Sequence, residues 1–369
     1  LKLCELTASA RRLALVGLAK NTGKTVALAA LLRELEGAGR TVGVTSVGRD
    51  GEEHDVIDFR IEKPRVELAA GSLVATTDSL LRASAIPSEL LERTGVRTPL
   101  GEVLVARLKG PGAIEVAGPS AAAEIRRISD AMLGYGAEQV LIDGAIDRRA
   151  ASSPEVSDGL VMSTGAVLSE QIEEVVERTA DAVELVRLAS LSADPPVAGR
   201  LRELAGAEEH GGGLAIGEDP GDLRPLPPRF VLTAEPALID GFLREGPAPR
   251  WLLIPGAVPE AFLEGLVPFV RRTGTALTVL AADPTRVFIS QRSVAFYARA
   301  GISIEVLSQI DLRALTVNPL APRSHSFDSA RLRALLAEAI PDLEIFDVLH
   351  PSYTAGGTMG HPAGGRAPG

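Results

Sequence analysis

The chain has 369 residues, 46 % of them hydrophobic and 23 % charged, with a formal net charge of −10 and a pI of about 5.2. That length suits two or three domains of ordinary globular composition, and the acidic balance argues against non-specific nucleic-acid binding and fits a soluble cytoplasmic protein. A single cysteine, Cys4, excludes an intramolecular disulfide, and no apolar run reaches the ~18 residues a membrane-spanning helix needs.

Aromatic residues make up only 4 % of the chain, so its core is aliphatic. The sequence starts at Leu1, which fits a truncated chain or an alternative start codon equally. Arg11-Arg12 precede a short strand-like run, which is not a signal-peptide pattern. Over residues 1–190 strand-like and helix-like runs alternate, the signature of an α/β domain with a mainly parallel sheet. The apolar pattern predicts strands at Leu13–Gly17, Thr41–Val47, Ser72–Thr76, Glu102–Leu108, Ala113–Ala117, Gln139–Ile142 and Val183–Leu188. Between them it predicts helices at Gly23–Gly37, Asp78–Arg93, Ser120–Leu133 and Ser169–Arg178, with Asp78 and Ser120 suited to N-caps.

Residues 191–228 change character. Asp194-Pro195-Pro196, Gly211-Gly212-Gly213 and Pro225 to Pro228 punctuate a polar stretch with one short helix at Val197–Leu204. It reads as a linker or mobile insertion, or as a long surface loop within one domain. A second, smaller α/β domain is expected over 229–350. Its strands are Phe230–Thr233, Trp251–Ile254, Thr275–Leu280, Ser303–Val306, Ala314–Val317 and Leu343–Phe346, and its helices Pro236–Arg244, Pro259–Arg271, Gln291–Ala300 and Ser326–Ala339. The glycine-rich tail, 351–369, is expected to be disordered.

The first strand runs into Gly-Leu-Ala-Lys-Asn-Thr-Gly-Lys-Thr, residues 17–25, and then into a helical run. This order of strand, glycine turn and helix is the context of a phosphate-binding loop, and it implies a nucleoside triphosphate with Mg²⁺. Backbone amides of Asn21, Thr22, Gly23, Lys24 and Thr25 would wrap a phosphate at the positive end of the helix. Lys24 would reach the β- and γ-phosphates, and the Thr25 hydroxyl would ligate Mg²⁺. The usual spacing places a glycine where Leu18 stands, and Gly17 comes one residue early. Val140-Leu141-Ile142-Asp143-Gly144 is an apolar strand ending in a carboxylate, so Asp143 is the expected second Mg²⁺ partner. Its competing reading is a turn-forming Asp-Gly pair.

After the second strand, Thr45-Ser46-Val47-Gly48-Arg49-Asp50-Gly51-Glu52 would emerge at the carboxyl edge of the sheet, where ligands bind in open α/β folds. Asp50 is a candidate metal ligand there, with Glu52 as an alternative and a plain surface turn as the rival reading. Thr316-Val317-Asn318-Pro319 ends a strand in a turn. The Asn-Lys-x-Asp pattern that selects guanine is absent there, which favours ATP over GTP. The five histidines have no metal-ligand spacing.

Taken together, these segments resemble the P-loop subunit of the lysine 5,6-aminomutase reactivase. The resemblance rests on residues 19–25, 45–52, Thr98-Pro99-Leu100-Gly101-Glu102-Val103, Glu115-Val116-Ala117-Gly118-Pro119-Ser120, Asp143-Gly144-Ala145-Ile146-Asp147-Arg148, 163–169 and 316–319. The phosphate loop is generic. Thr-Ser-Val-Gly-Arg-Asp-Gly and Asp-Gly-Ala-Ile-Asp-Arg are the more specific parts. The resemblance implies an ATPase that opens an adenosylcobalamin-dependent aminomutase, exchanges its damaged cobalamin, and works with a second reactivase subunit. Two other classes fit the residues. One is a small-molecule synthetase of the dethiobiotin-synthase type, using Arg49, Lys109 or Arg148 on its substrate. The other is a non-catalytic nucleotide-binding module or metallochaperone, against which the lone cysteine and unclustered histidines argue.

Overall fold

A computed structural model describes residues 2–48, 65–144, 149–206, 213–219, 221–227, 229–246, 248–322, 324–350 and 353. The first part of the chain forms α1 (Leu3–Leu6), β1 (Arg12–Gly17), α2 (Lys24–Gly37), β2 (Val42–Ser46), β3 (Val66–Leu68), β4 (Leu73–Thr77) and α3 (Asp78–Ala83). There follow β5 (Ser88–Thr98), β6 (Gly101–Leu108), β7 (Gly112–Ile114), α4 (Ala122–Gly134), β8 (Gln139–Asp143), β9 (Gly159–Gly165) and α5 (Ile172–Val186). The middle holds β10 (Ala189–Ser190), α6 (Pro195–Gly206), β11 (Leu214–Ile216), β12 (Leu223–Pro225), α7 (Phe230–Thr233), α8 (Pro236–Arg244), β13 (Trp251–Ile254), β14 (Val258–Pro259) and α9 (Glu260–Thr273). The chain continues through β15 (Leu277–Ala281), β16 (Val287–Phe288), α10 (Val294–Arg299), β17 (Ile302–Val306), β18 (Leu312–Asn318), α11 (Ser329–Ala339) and β19 (Ile345–Phe346).

These elements build an α/β fold on two larger sheets. The nine-stranded sheet runs β19-β18-β9-β1-β8-β2-β4-β6-β5. It is parallel from β19 to β4, and the hairpin β5–β6 closes one edge antiparallel. β1 lies inside it, between β8 and β9, with helices over both faces. That is why Leu13, Ala14, Leu15 and Val16 form an unbroken buried apolar run instead of alternating with polar residues. Leu13 and Leu15 pack with Leu28, Leu31 and Leu35 of α2. Ala14 and Val16 turn to the other face, where the core includes Ile125 and Ile128 of α4, Val175 of α5 and Leu332 of α11.

The six-stranded sheet runs β10-β17-β15-β13-β11-β12, parallel from β10 to β13 and antiparallel at β11 and β12. Its core is built around Phe262, Leu266, Phe269 and Tyr297. The sequence between α5 and β18 supplies every strand of this sheet, and the chain then returns to the first one.

Sheet membership therefore departs from the expected divisions at residues 191–228 and 229–350. The 191–228 stretch contributes α6, β11 and β12 to the second sheet, and β18 and β19 belong to the first. Four local expectations also change. Asp78–Arg93 is helical only to Ala83, because Pro87 disfavours helical geometry at Ile86 and the chain then pairs with β6. Val183–Leu188 is not a strand: Val183 is the last of the buried residues Ile172, Val175, Thr179 and Val183 that line one face of α5. Phe230–Thr233 is a short helix with Phe230 packed edge-on to Phe262. The N-caps of α3 and α4 are Thr77 and Ala121, not Asp78 and Ser120. Residues 354–369 lie outside the described residues.

Candidate functional site

The bend between β1 and α2 lies at the carboxyl edge of the nine-stranded sheet. Its shape is set by two left-handed residues, Asn21 at φ 67° and Gly23 at φ 89°. Alternating left- and right-handed residues turn successive N–H groups to one side, the geometry of an anion nest. No backbone amide from Asn21 to Val26 donates to an acceptor among the described residues, whereas the next amide, Ala27, closes the first helical bond to Gly23 at 2.9 Å. Orphan donors are normal in a first helical turn. Here they extend back through the loop to Asn21.

The early glycine has a steric reason. The buried Thr22 hydroxyl donates to the Ala19 carbonyl at 3.0 Å. A Cβ on Gly17 would stand 2.5 Å from that hydroxyl oxygen, so the loop folds back onto a residue that must lack a side chain. Leu18 packs against the core beneath the loop, and its amide donates to the Ser163 carbonyl of β9 at 2.9 Å.

Lys24 and Asp143 meet over this nest. Asp143 ends β8 in register with Leu15, and its carboxylate accepts a hydrogen bond from the Lys24 ammonium. The two side chains are 22 % and 26 % exposed, so the pair is sheltered but reachable. The Asp143 carbonyl also accepts from the Val47 amide at 2.9 Å and from the Ser46 hydroxyl at 3.1 Å. Gly144 donates to Leu15 at 2.9 Å, and a Cβ there would meet that of Ala151 at 2.6 Å. Asp143-Gly144 is thus built into the wall beside the loop and is not a free surface turn. Thr25 is half-buried in the first turn of α2, and its hydroxyl makes no hydrogen bond among the described residues.

Two other walls surround the loop. On one side Gly118 lies against the end of β2, where a Cβ would overlap the Ser46 carbonyl oxygen. The Gly48 amide donates to Pro119 at 2.9 Å in the same contact. On the other side β18 ends at Asn318, whose side-chain amide donates to the Asn21 carbonyl at 2.9 Å. Behind it the buried hydroxyls of Ser163 and Thr316 share a hydrogen bond of 2.7 Å that ties β9 to β18.

The donor set fits a magnesium-bound polyphosphate: convergent amides at a helix N-terminus, one ammonium, one carboxylate and one hydroxyl. Asn21, Thr22, Gly23, Lys24, Thr25 and Asp143 are brought together. Asp50, Arg49, Glu52, Asp147 and Arg148 lie outside the described residues. Lys109 follows β6, which runs antiparallel to β4, so it lies at the opposite edge of the sheet and pairs there with Glu89. The fold therefore does not bring Lys109 to the bend between β1 and α2. The contact between Asn318 and Asn21 spans 297 residues of sequence, and its only local signal is an Asn-Pro ending an apolar strand. Among the described residues there is no group of three or more metal-ligating side chains, and no helix is long and apolar enough to cross a membrane.

No protein-family model matches the chain, and no curated protein or solved structure matches it at a significant level.

Proposed function

We propose that this chain is a magnesium-dependent ATPase of the cytoplasm. The observation that carries the reading is the Lys24–Asp143 pair set over the unsatisfied amides of residues 21–26. Lys24 and the nest would hold the β- and γ-phosphates, and Thr25 with Asp143 would hold Mg²⁺. Bound there, the metal supplies charge neutralisation at the transferred phosphoryl group. The residues themselves supply fixed donors aimed at one point, so little reorganisation is needed as charge shifts.

The resemblance to the reactivase P-loop subunit supports a definite use for that hydrolysis. ATP turnover would remodel an adenosylcobalamin-dependent lysine 5,6-aminomutase and release its damaged cobalamin, together with a second reactivase subunit. A γ-phosphate held at this site would give a partner two states to distinguish, with and without bound nucleotide.

The test is ATP hydrolysis by the purified chain, alone and with cobalamin-inactivated aminomutase, fresh adenosylcobalamin and the second subunit. Stimulated hydrolysis with recovered mutase activity, both lost in Lys24→Ala, is the expected result. ATP turnover without rescue would refute the reactivase reading and favour the synthetase. Absence of ATP binding would refute the nucleotide reading itself.

A further inference from the structure

Asn21 holds a left-handed backbone conformation that costs a non-glycine residue about 1 kcal/mol, and asparagine tolerates it better than most. Something must keep it there, because the direction of the following amides depends on it. The Asn21 carbonyl accepts the Asn318 side-chain N–H at 2.9 Å. The other end of that amide is fixed as well, since Asn318 Oδ1 accepts from the Leu320 backbone at 3.1 Å. This pair of bonds defines which way the amide faces.

The side chain is also wedged sterically. A Cβ on Gly23 or on Gly165 would come within 3.0 Å of the Asn318 Cβ, and one on Gly165 would overlap the Asn318 carbonyl oxygen. Glycines from the phosphate loop and from β9 therefore make room for this residue. It stands on the strand by which the chain returns from the six-stranded sheet.

We propose that Asn318 is a positioning residue for the phosphate site, holding Asn21 left-handed so that the amides of residues 21–26 converge. The inference rests on the triphosphate reading and deepens it. Asn318 acts on the loop backbone and not on the ligand, so its loss is read in affinity for the phosphates whatever nucleoside carries them. Because it sits on β18, any displacement of that strand passes into nucleotide affinity.

The experiment measures Mg²⁺-ATP and Mg²⁺-pyrophosphate binding by calorimetry for the wild type, Asn318→Ala and Asn318→Asp. The Asp variant keeps the acceptor for Leu320 and replaces the donor to Asn21 by a negative charge; a weakening that persists at high salt comes from the lost hydrogen bond and not from repulsion of the phosphates, so it decides the matter if the Ala variant does not fold. Both ligands should weaken by about tenfold, the effect of one lost hydrogen bond. ATP weakened with pyrophosphate unchanged would overturn the proposal, because Asn318 would then be touching the nucleoside. Unchanged affinity for both ligands would overturn it too. A wild-type chain that binds neither ligand would remove the triphosphate reading and this inference with it.

Discussion

Replacing Lys24 by alanine separates the ligand role of this residue from its role in folding. The ammonium would make charge-assisted hydrogen bonds to two phosphate oxygens, each of about 1.5–3 kcal/mol. Their loss predicts ATP binding weaker by about 10²- to 10⁴-fold. The folded chain should hardly notice. The ion pair with Asp143 is partly exposed and contributes about 1 kcal/mol. Against that loss, Lys24 is the first residue of α2, where a positive charge opposes the helix dipole by about 0.3–1 kcal/mol. Alanine also has the better helix propensity by a few tenths of a kcal/mol. The terms nearly cancel, so the unfolding midpoint without nucleotide should move by only about 2 °C. Titration calorimetry with Mg²⁺-ATP and thermal unfolding of the same preparation measure both quantities. A Lys24→Ala chain that binds ATP within about threefold of wild type, with unchanged unfolding, would refute the assignment of the loop.

Asp143→Asn should reduce ATP affinity in Mg²⁺ to the level seen in excess chelator, and a persisting metal dependence would move the metal to another ligand. Gly118→Ala should cost about 2–3 kcal/mol in denaturant unfolding, because its Cβ would overlap the Ser46 carbonyl. Gly37→Ala, whose Cβ meets nothing, should stabilise by about 0.5 kcal/mol, and equal effects at the two sites would contradict the packing. Glu260 at the start of α9 accepts backbone hydrogen bonds from Ser290, Gln291 and Arg292 at 2.8–3.1 Å. Burial pushes its carboxyl up, but these amides and the Ser290 hydroxyl outweigh burial and hold it below the usual range. The stabilisation is therefore full above the unfolded value of about 4.3 and is lost as pH falls through the lower folded value. Glu260→Gln should cost about 1–2 kcal/mol at pH 7 and progressively less in acid, as urea unfolding at several pH values would register; a gap independent of pH would contradict this.

The site's centre was legible because its residues are local. Leu13 to Val16, the glycine turn and the α2 run are contiguous, and Asp143 ends a strand whose apolar face is unmistakable. What escaped depends on contacts distant in sequence. Ala314–Val317 reads as a strand either way, and nothing in these four residues tells which sheet it joins. That choice is made by pairing with β9 and by the Ser163–Thr316 hydroxyl bond. Asp78–Arg93 has helical composition, but Pro87 and pairing with β6 override it beyond Ala83. Phe230–Thr233 has strand-like residues and becomes a helix because Phe230 packs among Phe242 and Phe262. The 191–228 stretch looked like a linker because its turns outnumber its strands, yet β11 is buried at every position.

The same comparison sets the bend between β1 and α2 apart from two other left-handed bends of the chain. Ala85 and Ala234 also take left-handed conformations, at φ 54° and 50°. Each spends its amide on the chain itself, Ala85 on Arg82 at 3.1 Å and Ala234 on Phe230 at 3.3 Å. Those bends terminate helices, and their donors are consumed in doing so. Asn21 and Arg229, the latter at φ 63°, precede helices instead; at Asn21 the carbonyl is held by Asn318, and the amides of residues 21–26 donate to nothing among the described residues. Within the same run Lys24 stands at the start of α2, against the helix dipole. A left-handed asparagine, a run of unspent donors and an opposed charge thus lie together at residues 21–26, which is why the proposed polyanion is placed there.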